Sequence, residues 1–402
     1  MGEDSPALMI SGRDFIFLSS IEWEPLWQAH QELASRLAQA GNRVLYVENT
    51  GVRHPGIRDA SRLVGRLRKW AAGLPSHGVR EVAPGLYVCA PLVLPPFGSR
   101  PAREANRRLL VPLVARRARR LGMSDPIVWT YLPTDTAAAL IERLRTPRSL
   151  LVYSCLADFS GLTPSRRELA RWEDHILRES DLVFATPELV AHCERFAGEV
   201  RPFHGAVSLE AFREPYRPAA EGLLRRLERT ARPRVGYVGG LHRHVDVDLL
   251  AALARERPDW SWVLVGPRQE RLVELEGLAN VHLLGAVPHA ELAALIDTFD
   301  VCIIPYRDSK HTRTGFPTKL MEYLAMGKPV VSTPVPVACE LERRHGVVLT
   351  APPDPAEFAA ALDRALALPP DGDERRAVAA ERGWDRELER IGELVGIASG
   401  DR

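Results

Sequence analysis

Two stretches of this sequence combine residue types suited to holding a diphosphate. The first is Tyr306–Glu322, reading Y-R-D-S-K-H-T-R-T-G-F-P-T-K-L-M-E after the apolar run Val301–Pro305. A loop this cationic at the C-terminal end of a strand is expected to face a cleft. Thr314-Gly315-Phe316-Pro317-Thr318 then leads into a helix through Lys319, Glu322, Tyr323 and Ala325, ended by Gly327-Lys328-Pro329. A helix start leaves N–H groups without intrahelical partners, and a neighbouring lysine adds a full positive charge, so phosphate suits the spot. Glu322 lies three residues past Lys319 on nearly the same helical face. Its carboxylate can accept two hydrogen bonds from neighbouring hydroxyls.

The second stretch is Val235-Gly236-Tyr237-Val238-Gly239-Gly240, a strand running into paired glycines, with a helix beginning near Asp246. Glycines there let the backbone approach a diphosphate, whose charge suits the following helix N-terminus. The spacing is not that of the dinucleotide fingerprint, whose middle glycine is missing. Arg243 reads equally as a phosphate ligand or a solvated loop residue. His242 and His244 have a spacing that suits a metal, but no third ligand accompanies them, and no metal site is expected. Asp246-Val247-Asp248 has a metal-binding spelling, yet it opens a helix, where aspartates cap N–H groups. In the first half, Asp158 follows the run Tyr153–Ala157 and is the candidate for orienting an acceptor or stabilising positive charge. Its alternative is a cap or a buried loop carboxylate. Trp23 and Trp27 offer rings for stacking on a sugar or lipid, or for packing.

The elements that must position these residues alternate along the whole chain. Short apolar runs are followed by helical patterns, the mark of parallel α/β architecture. Strands are expected at Phe15–Ser19, Val44–Glu48, Tyr87–Ala90, Ile127–Tyr131, Leu151–Ser154 and Leu182–Thr186. A second series is expected at Val235–Val238, Trp262–Val265, Val281–Leu284, Val301–Pro305, Val330–Thr333 and Val347–Leu349. Gln28–Ala40 reads as a helix stopped by Gly41-Asn42. The expected domains are residues 1–211, a charged and proline-bearing linker at 212–232, residues 233–383, and a terminal helix at 384–402 that crosses back to the first domain. Two Rossmann-like domains in series predict a cleft between facing strand C-termini.

The chain has 402 residues, 46% of them hydrophobic and 26% charged, with a net charge of +1. That length supports two domains with a core each. A charge near zero implies no bulk attraction to nucleic acid. The five cysteines are scattered without paired or metal-ligand spacing, which fits a reducing compartment. The acidic opening MGEDSPALM lacks the features of a secretory signal, and no apolar run approaches membrane-spanning length. The expected location is the cytoplasm, and the usage of 49 arginines against four lysines suggests a GC-rich bacterial genome. Arg100 to Arg120 holds eight arginines and one glutamate, which points to peripheral contact with an anionic membrane face. Arg117 and Arg120, however, fall on the side of Leu113, so the apolar face is not clean.

Gly315-Phe316-Pro317-Thr318-Lys319-Leu320-Met321-Glu322, continuing to Val331, resembles the donor-site helix of retaining GT-B glycosyltransferases. The resemblance is to family 4-type enzymes, in particular those of teichuronic acid synthesis. It extends to Gly239-Gly240, Asn280–Gly285, His204–Val207 and Asp181–Thr186, covering most of residues 180–335. It implies a GT-B fold of two Rossmann-like domains facing across a cleft. The implied reaction is transfer from an NDP-sugar, either UDP- or GDP-linked, to a glycan, lipid-linked or small-molecule acceptor. No cofactor or metal is implied beyond the donor substrate. By similarity Glu322 would bind ribose hydroxyls, the N–H groups of Thr318, Lys319 and Leu320 would hold phosphate, Gly315, Phe316 and Pro317 would line the sugar, and the backbone near Val287 would meet the base. Lys319 would act on the leaving diphosphate. The sequence departs from the family at Thr314, where a carboxylate is usual, and lacks the usual cations flanking the glycine turn, for which Arg243 or His244 would substitute. The alternatives are a GT-B-fold sugar-nucleotide epimerase and a weakly active homologue that binds nucleotide-sugar and regulates.

Overall fold

In the computed structural model, residues 10–24, 27–48, 78–91, 93–94, 99–159, 166–213, 221–369 and 371–400 are described. The chain divides into two compact units, Met1–His204 with Leu388–Arg402, and Gly205–Glu387. The opening MGEDSPALM and part of the expected linker, 214–220, lie outside the described residues.

The first unit is built on an eight-stranded sheet in the order β3-β4-β2-β1-β5-β6-β7-β8. Its strands are β1 (Asp14–Leu18), β2 (Arg43–Val47), β3 (Val79–Ala83), β4 (Leu86–Cys89), β5 (Ile127–Thr130), β6 (Leu151–Cys155), β7 (Leu182–Ala185) and β8 (Val200–Pro202). All pairs are parallel except the hairpin β3–β4. The central strands are buried on both faces, which is why they read as continuous apolar runs. Strands β3 and β8 were not expected. Both lie at edges and carry exposed charged residues such as Arg80, Glu81 and Arg201, so no apolar run marks them.

The segment Arg100–Arg120 is helical throughout, with a π-helical stretch at Asn106–Leu110. Its inner side carries Leu110, Val111, Val114 and Ala118, but also Arg117, whose guanidinium donates to Cys89 Sγ at 2.9 Å. Leu109 and Leu113 are instead exposed. Arg117 is therefore an internal residue, and the expectation that it falls on the side of Leu113 is corrected. Among the described residues no helix is long and apolar enough to cross a membrane.

The second unit holds a fully parallel six-stranded sheet, β11-β10-β9-β12-β13-β14. These are β9 (Arg234–Val238), β10 (Ser261–Val265), β11 (Val281–Gly285), β12 (Val301–Ile304), β13 (Val330–Ser332) and β14 (Leu349–Thr350). Period-2 alternation sends Cys302 and Ile304 into one core and Val301 and Ile303 into the other. Strand β14 starts later than the expected Val347. The helix Pro336–His345 ends on left-handed Gly346, and Val347 and Val348 are spent filling the core. The expected linker is part of this unit: Phe212 and Leu227 enter its core, the helix Glu221–Glu228 lies within it, and Val207 pairs with Gly383. The units accordingly part at Gly205, before the expected boundary at residue 211. The helix Trp384–Gly400 begins in the second unit and continues, from Leu388, in the first.

Candidate functional site

The candidate site of the second unit begins at the end of β9. Gly239 has φ +143 and its N–H donates to Val265 O at 2.8 Å. A Cβ on Gly239 would lie 2.7 Å from Lys319 Cε and 3.2 Å from Lys319 Nζ. Only glycine meets both demands, a left-handed backbone and a lysine pressed against it. Gly266, after β10, is as constrained: its φ is +142, and a Cβ there would come within 2.0 Å of Gly239 O. The two glycine turns thus stack backbone on backbone at the C-terminal ends of neighbouring strands.

Helix Thr318–Ala325 brings Lys319 to this turn. Leu320, Met321, Tyr323 and Leu324 are buried and fix its inner side. The Tyr323 hydroxyl accepts the Val238 N–H at 2.7 Å, tying the helix to β9 one residue before the glycines. Lys319 Nζ donates to the Tyr306 hydroxyl at 2.6 Å. It also stands 5.1 Å from the Tyr306 ring centroid and 5.5 Å from that of Tyr237, within cation–π range. Burial pushes the Tyr237 and Tyr323 hydroxyls well above the ordinary phenol range, so both stay protonated and neutral. Tyr237 spends its proton on Gly240 O at 3.1 Å.

At the helix start the Leu320 N–H already donates to Pro317 O at 2.9 Å. Leu320 therefore does not offer the open donor expected of it. Among the described residues the N–H groups of Thr318 and Lys319 have no acceptor, and they point the start of the helix at incoming charge. Glu322 is largely buried, with His289 Nε2 at 3.6 Å from its carboxylate. His289 in turn packs edge-on against Phe212.

Before this helix lies a second short helix, Lys310–Thr314, opened by a Ser309–Thr312 capping box. It interrupts what reads in sequence as an open cationic loop. Thr314 closes it, nearly buried, donating to Lys310 O at 3.0 Å. Phe316 packs where Gly205 lacks a side chain: a Cβ there would lie 2.2 Å from the ring. Val287 is half-buried against the core. Gly240 is closely approached by Gln269, at 2.7 Å from a would-be Cβ.

Asp246 caps the helix Val247–Glu256 by accepting the Leu249 N–H at 3.2 Å. Arg307 lies 2.6 Å from Asp248 and 3.6 Å from Asp246. Both carboxylates are thus engaged in helix capping and ion pairing. Arg243 is exposed, its Nε 3.4 Å from His244 Nε2. The rings of His242, His244 and His311 form a run, with His244 and His311 stacked at 4.6 Å.

In the first unit Asp158 is half-buried just past the C-terminal end of β6. Trp23 is nearly buried and stands edge-on to both Trp27 and Tyr46, so it serves packing. Tyr237, Tyr306, Tyr323 and His289 were not singled out in sequence. Tyr237 and Tyr323 were quoted there only as members of a strand and a helix, and both prove to be buried. His289 lies in no motif.

Residues 232–367 match the family described as Glycosyl transferases group 1. A Bacillus subtilis (strain 168) protein named as a teichuronic acid biosynthesis glycosyltransferase is 30% identical over 172 residues, 40% of this chain. The chain spans 43% of the length of that relative. Sucrose-phosphate synthase from Thermosynechococcus elongatus superposes with a TM-score of 0.69 at 20% identity, over 97% of this chain and 100% of its own. Anabaena Alr3699/HepE, solved in complex with UDP and glucose, superposes with a TM-score of 0.64 at 17% identity, over 96% and 99% respectively. The chain has the GT-B fold, and its residues 232–367 match the glycosyltransferase group 1 family.

Proposed function

We propose that this protein transfers a sugar, with retention of configuration and without a metal, from a UDP-sugar to a hydroxyl acceptor in the synthesis of a surface polysaccharide or glycolipid. The observation that carries the reading is the ammonium of Lys319 held against the Gly239 turn, beside the open N–H groups of Thr318 and Lys319. As the sugar gains oxocarbenium character, negative charge grows on the leaving diphosphate. A lysine and helix-start amides already oriented toward that charge stabilise it with little reorganisation. Glu322 takes the ribose hydroxyls in exchange for its contact with His289. A donor phosphate oxygen takes the acceptor proton, so the chemistry asks for no strong protein base. Asp158 orients the acceptor or stabilises the developing positive charge. The UDP held by the Anabaena neighbour supports the choice of base.

The test is a thermal-shift screen over UDP-, GDP- and TDP-sugars, followed by product analysis with and without a polyprenyl-phosphate-sugar acceptor. A ligand that binds only the folded state raises its melting temperature. UDP-sugars are expected to give the largest rise, and a retained anomeric linkage is expected in the product. Conversion of the donor sugar without acceptor would instead make the protein an epimerase. Binding without turnover would make it a regulatory homologue.

A further inference from the structure

A groove of about 1320 Å³ runs across one face of the first unit. Its floor is the helix Asp135–Leu144, where Ala138 and Ala139 leave room between taller neighbours. One wall is the start of the Arg100–Arg120 segment, and the other is the helix Arg166–Glu179. The floor helix starts just past the C-terminal end of β5 and returns to the N-terminal ends of the strands before β6. Its ten residues give the groove about 15 Å of length, at 1.5 Å per residue. The groove therefore leads away from the strand ends at which α/β sheets bind their substrates.

Its volume exceeds the usual range for a small-molecule site, about 300–1,000 Å³, so an extended ligand is favoured. Arginines mark its whole length: Arg100, Arg103 and Arg107 on one wall, Arg171 and Arg178 on the other, Arg145 at the far end. Four carboxylates share the lining, and Glu168 and Asp181 outside it pair with Arg103 and Arg145, so acids and arginines balance overall and the uncompensated guanidiniums are those without an ion pair. Arg107 pairs with Glu142 in the open, whereas Arg103–Glu168 and Arg145–Asp181 are partly buried and hold their guanidiniums in place. The exposed Arg107–Glu142 pair contributes little, about 0–1 kcal/mol, so the Arg107 guanidinium can change partner at small cost. Arg100 and Arg171 make no ion pair among the described residues. Arg171 lies 6.0 Å from the ring centroid of half-buried Trp172, itself part of the wall.

We infer that this groove holds an anionic glycan chain bearing carboxylate or phosphate groups, the acceptor or its trailing portion. Guanidiniums bind such groups bidentately, and Trp172 offers a ring to a sugar face. Charge spaced along both walls suits a repeated anion. A single lipid headgroup would need one cationic end and an uncharged trough. The inference rests on the glycosyl-transfer reading for the word acceptor, but its binding test uses neither nucleotide nor turnover, so each can fail alone.

The test is fluorescence anisotropy of the full chain with labelled hexagalacturonate, maltohexaose or hexaaspartate. Hexagalacturonate is expected to bind, about tenfold more weakly at 300 mM than at 50 mM salt, with the neutral and peptide probes weaker by at least tenfold. Arg100→Glu with Arg171→Glu is expected to weaken hexagalacturonate at least tenfold, and Trp172→Ala by several-fold. The milder Arg100→Gln with Arg171→Gln should lose part of the affinity while its circular dichroism melt matches the parent. Equal binding by parent and double variants overturns the site. Equal binding of hexaaspartate overturns the glycan assignment. Phosphatidylglycerol vesicles captured through Arg100 and Arg171, without hexagalacturonate binding, would make the groove a lipid surface.

Discussion

Lys319 and Tyr306 meet through a 2.6 Å hydrogen bond from ammonium to phenol, with Gly239 packed against the same side chain. A lysine's compact charge on a flexible stem is costly to hold in one rotamer. Here the tyrosine hydroxyl, two aromatic rings and a glycine backbone hold it before any ligand arrives. Lys319→Ala is expected to weaken UDP binding by roughly 1.5–3 kcal/mol, about ten- to a hundredfold, with uridine binding nearly unchanged. Tyr306→Phe keeps the ring and removes only the hydroxyl partner, so its effect on UDP should be smaller and in the same direction. Calorimetry with both ligands checks this. Equal weakening of uridine and UDP by Lys319→Ala would mean a collapsed helix start and end the phosphate assignment.

On the proposed function, Glu322 would take a different part of the donor. Glu322→Ala is expected to weaken both UDP and the UDP-sugar by about 1.5–3 kcal/mol, because two charge-assisted bonds to the ribose are lost. Glu322→Gln, which still accepts hydrogen bonds, should lose less. The contact with His289 makes this residue structural as well, so the melting temperature of each variant must be read beside its affinity. Unchanged affinity for both ligands in a variant that melts normally would remove Glu322 from the donor site.

The central strands and the Lys319 helix were legible in sequence because burial on both faces leaves an apolar run, and because Gly327 and Pro329 end the helix. What escaped depended on tertiary partners. Strands β3 and β8 are made by their neighbours rather than by their own residues. Leu109 and Leu113 face outward while Arg117 faces inward, since Cys89 supplies an acceptor that helical periodicity cannot reveal. Lys319 was legible from its place at a helix start, whereas Tyr306, thirteen residues earlier, became its partner only through the fold. His289 reached Glu322 in the same way.

Asp246 and Asp248 bear on metal dependence. Their carboxylates are occupied by the Leu249 N–H and by Arg307. Transfer activity is expected to persist in excess chelator. Asp246→Ala should cost about 1 kcal/mol of stability through the lost cap, while Asp248→Ala, at an exposed pair, should change it little. Activity abolished by chelator and restored by manganese would show the two aspartates to be metal ligands after all.

His30 gives the first unit an acid sensitivity of predictable sign. Its ring is buried, stacked on Tyr131 at 3.5 Å, with Nδ1 2.9 Å from Ser19 Oγ, which also meets the Tyr46 hydroxyl at 2.7 Å. Burial lowers its pKa from 6.5 to about 3. In the unfolded chain the imidazole takes up a proton near 6.5, but in the folded one it does so only near 3. Between those values the unfolded state binds more protons, so the stability present above pH 6.5 is lost as the pH falls. At about 1.4 kcal/mol per pH unit, the loss from pH 6.5 to 5 is about 2 kcal/mol. His30→Gln removes this titration while keeping an acceptor for Ser19. Urea denaturation at pH 7.5, 6.0 and 5.0 should therefore give a shallower pH slope for the variant, whatever its stability at neutral pH. Carboxylates titrate equally in both proteins and cancel in the comparison. Parallel slopes would mean that His30 is protonated in the folded protein and that the Ser19–His30–Tyr46 contacts hold an imidazolium instead.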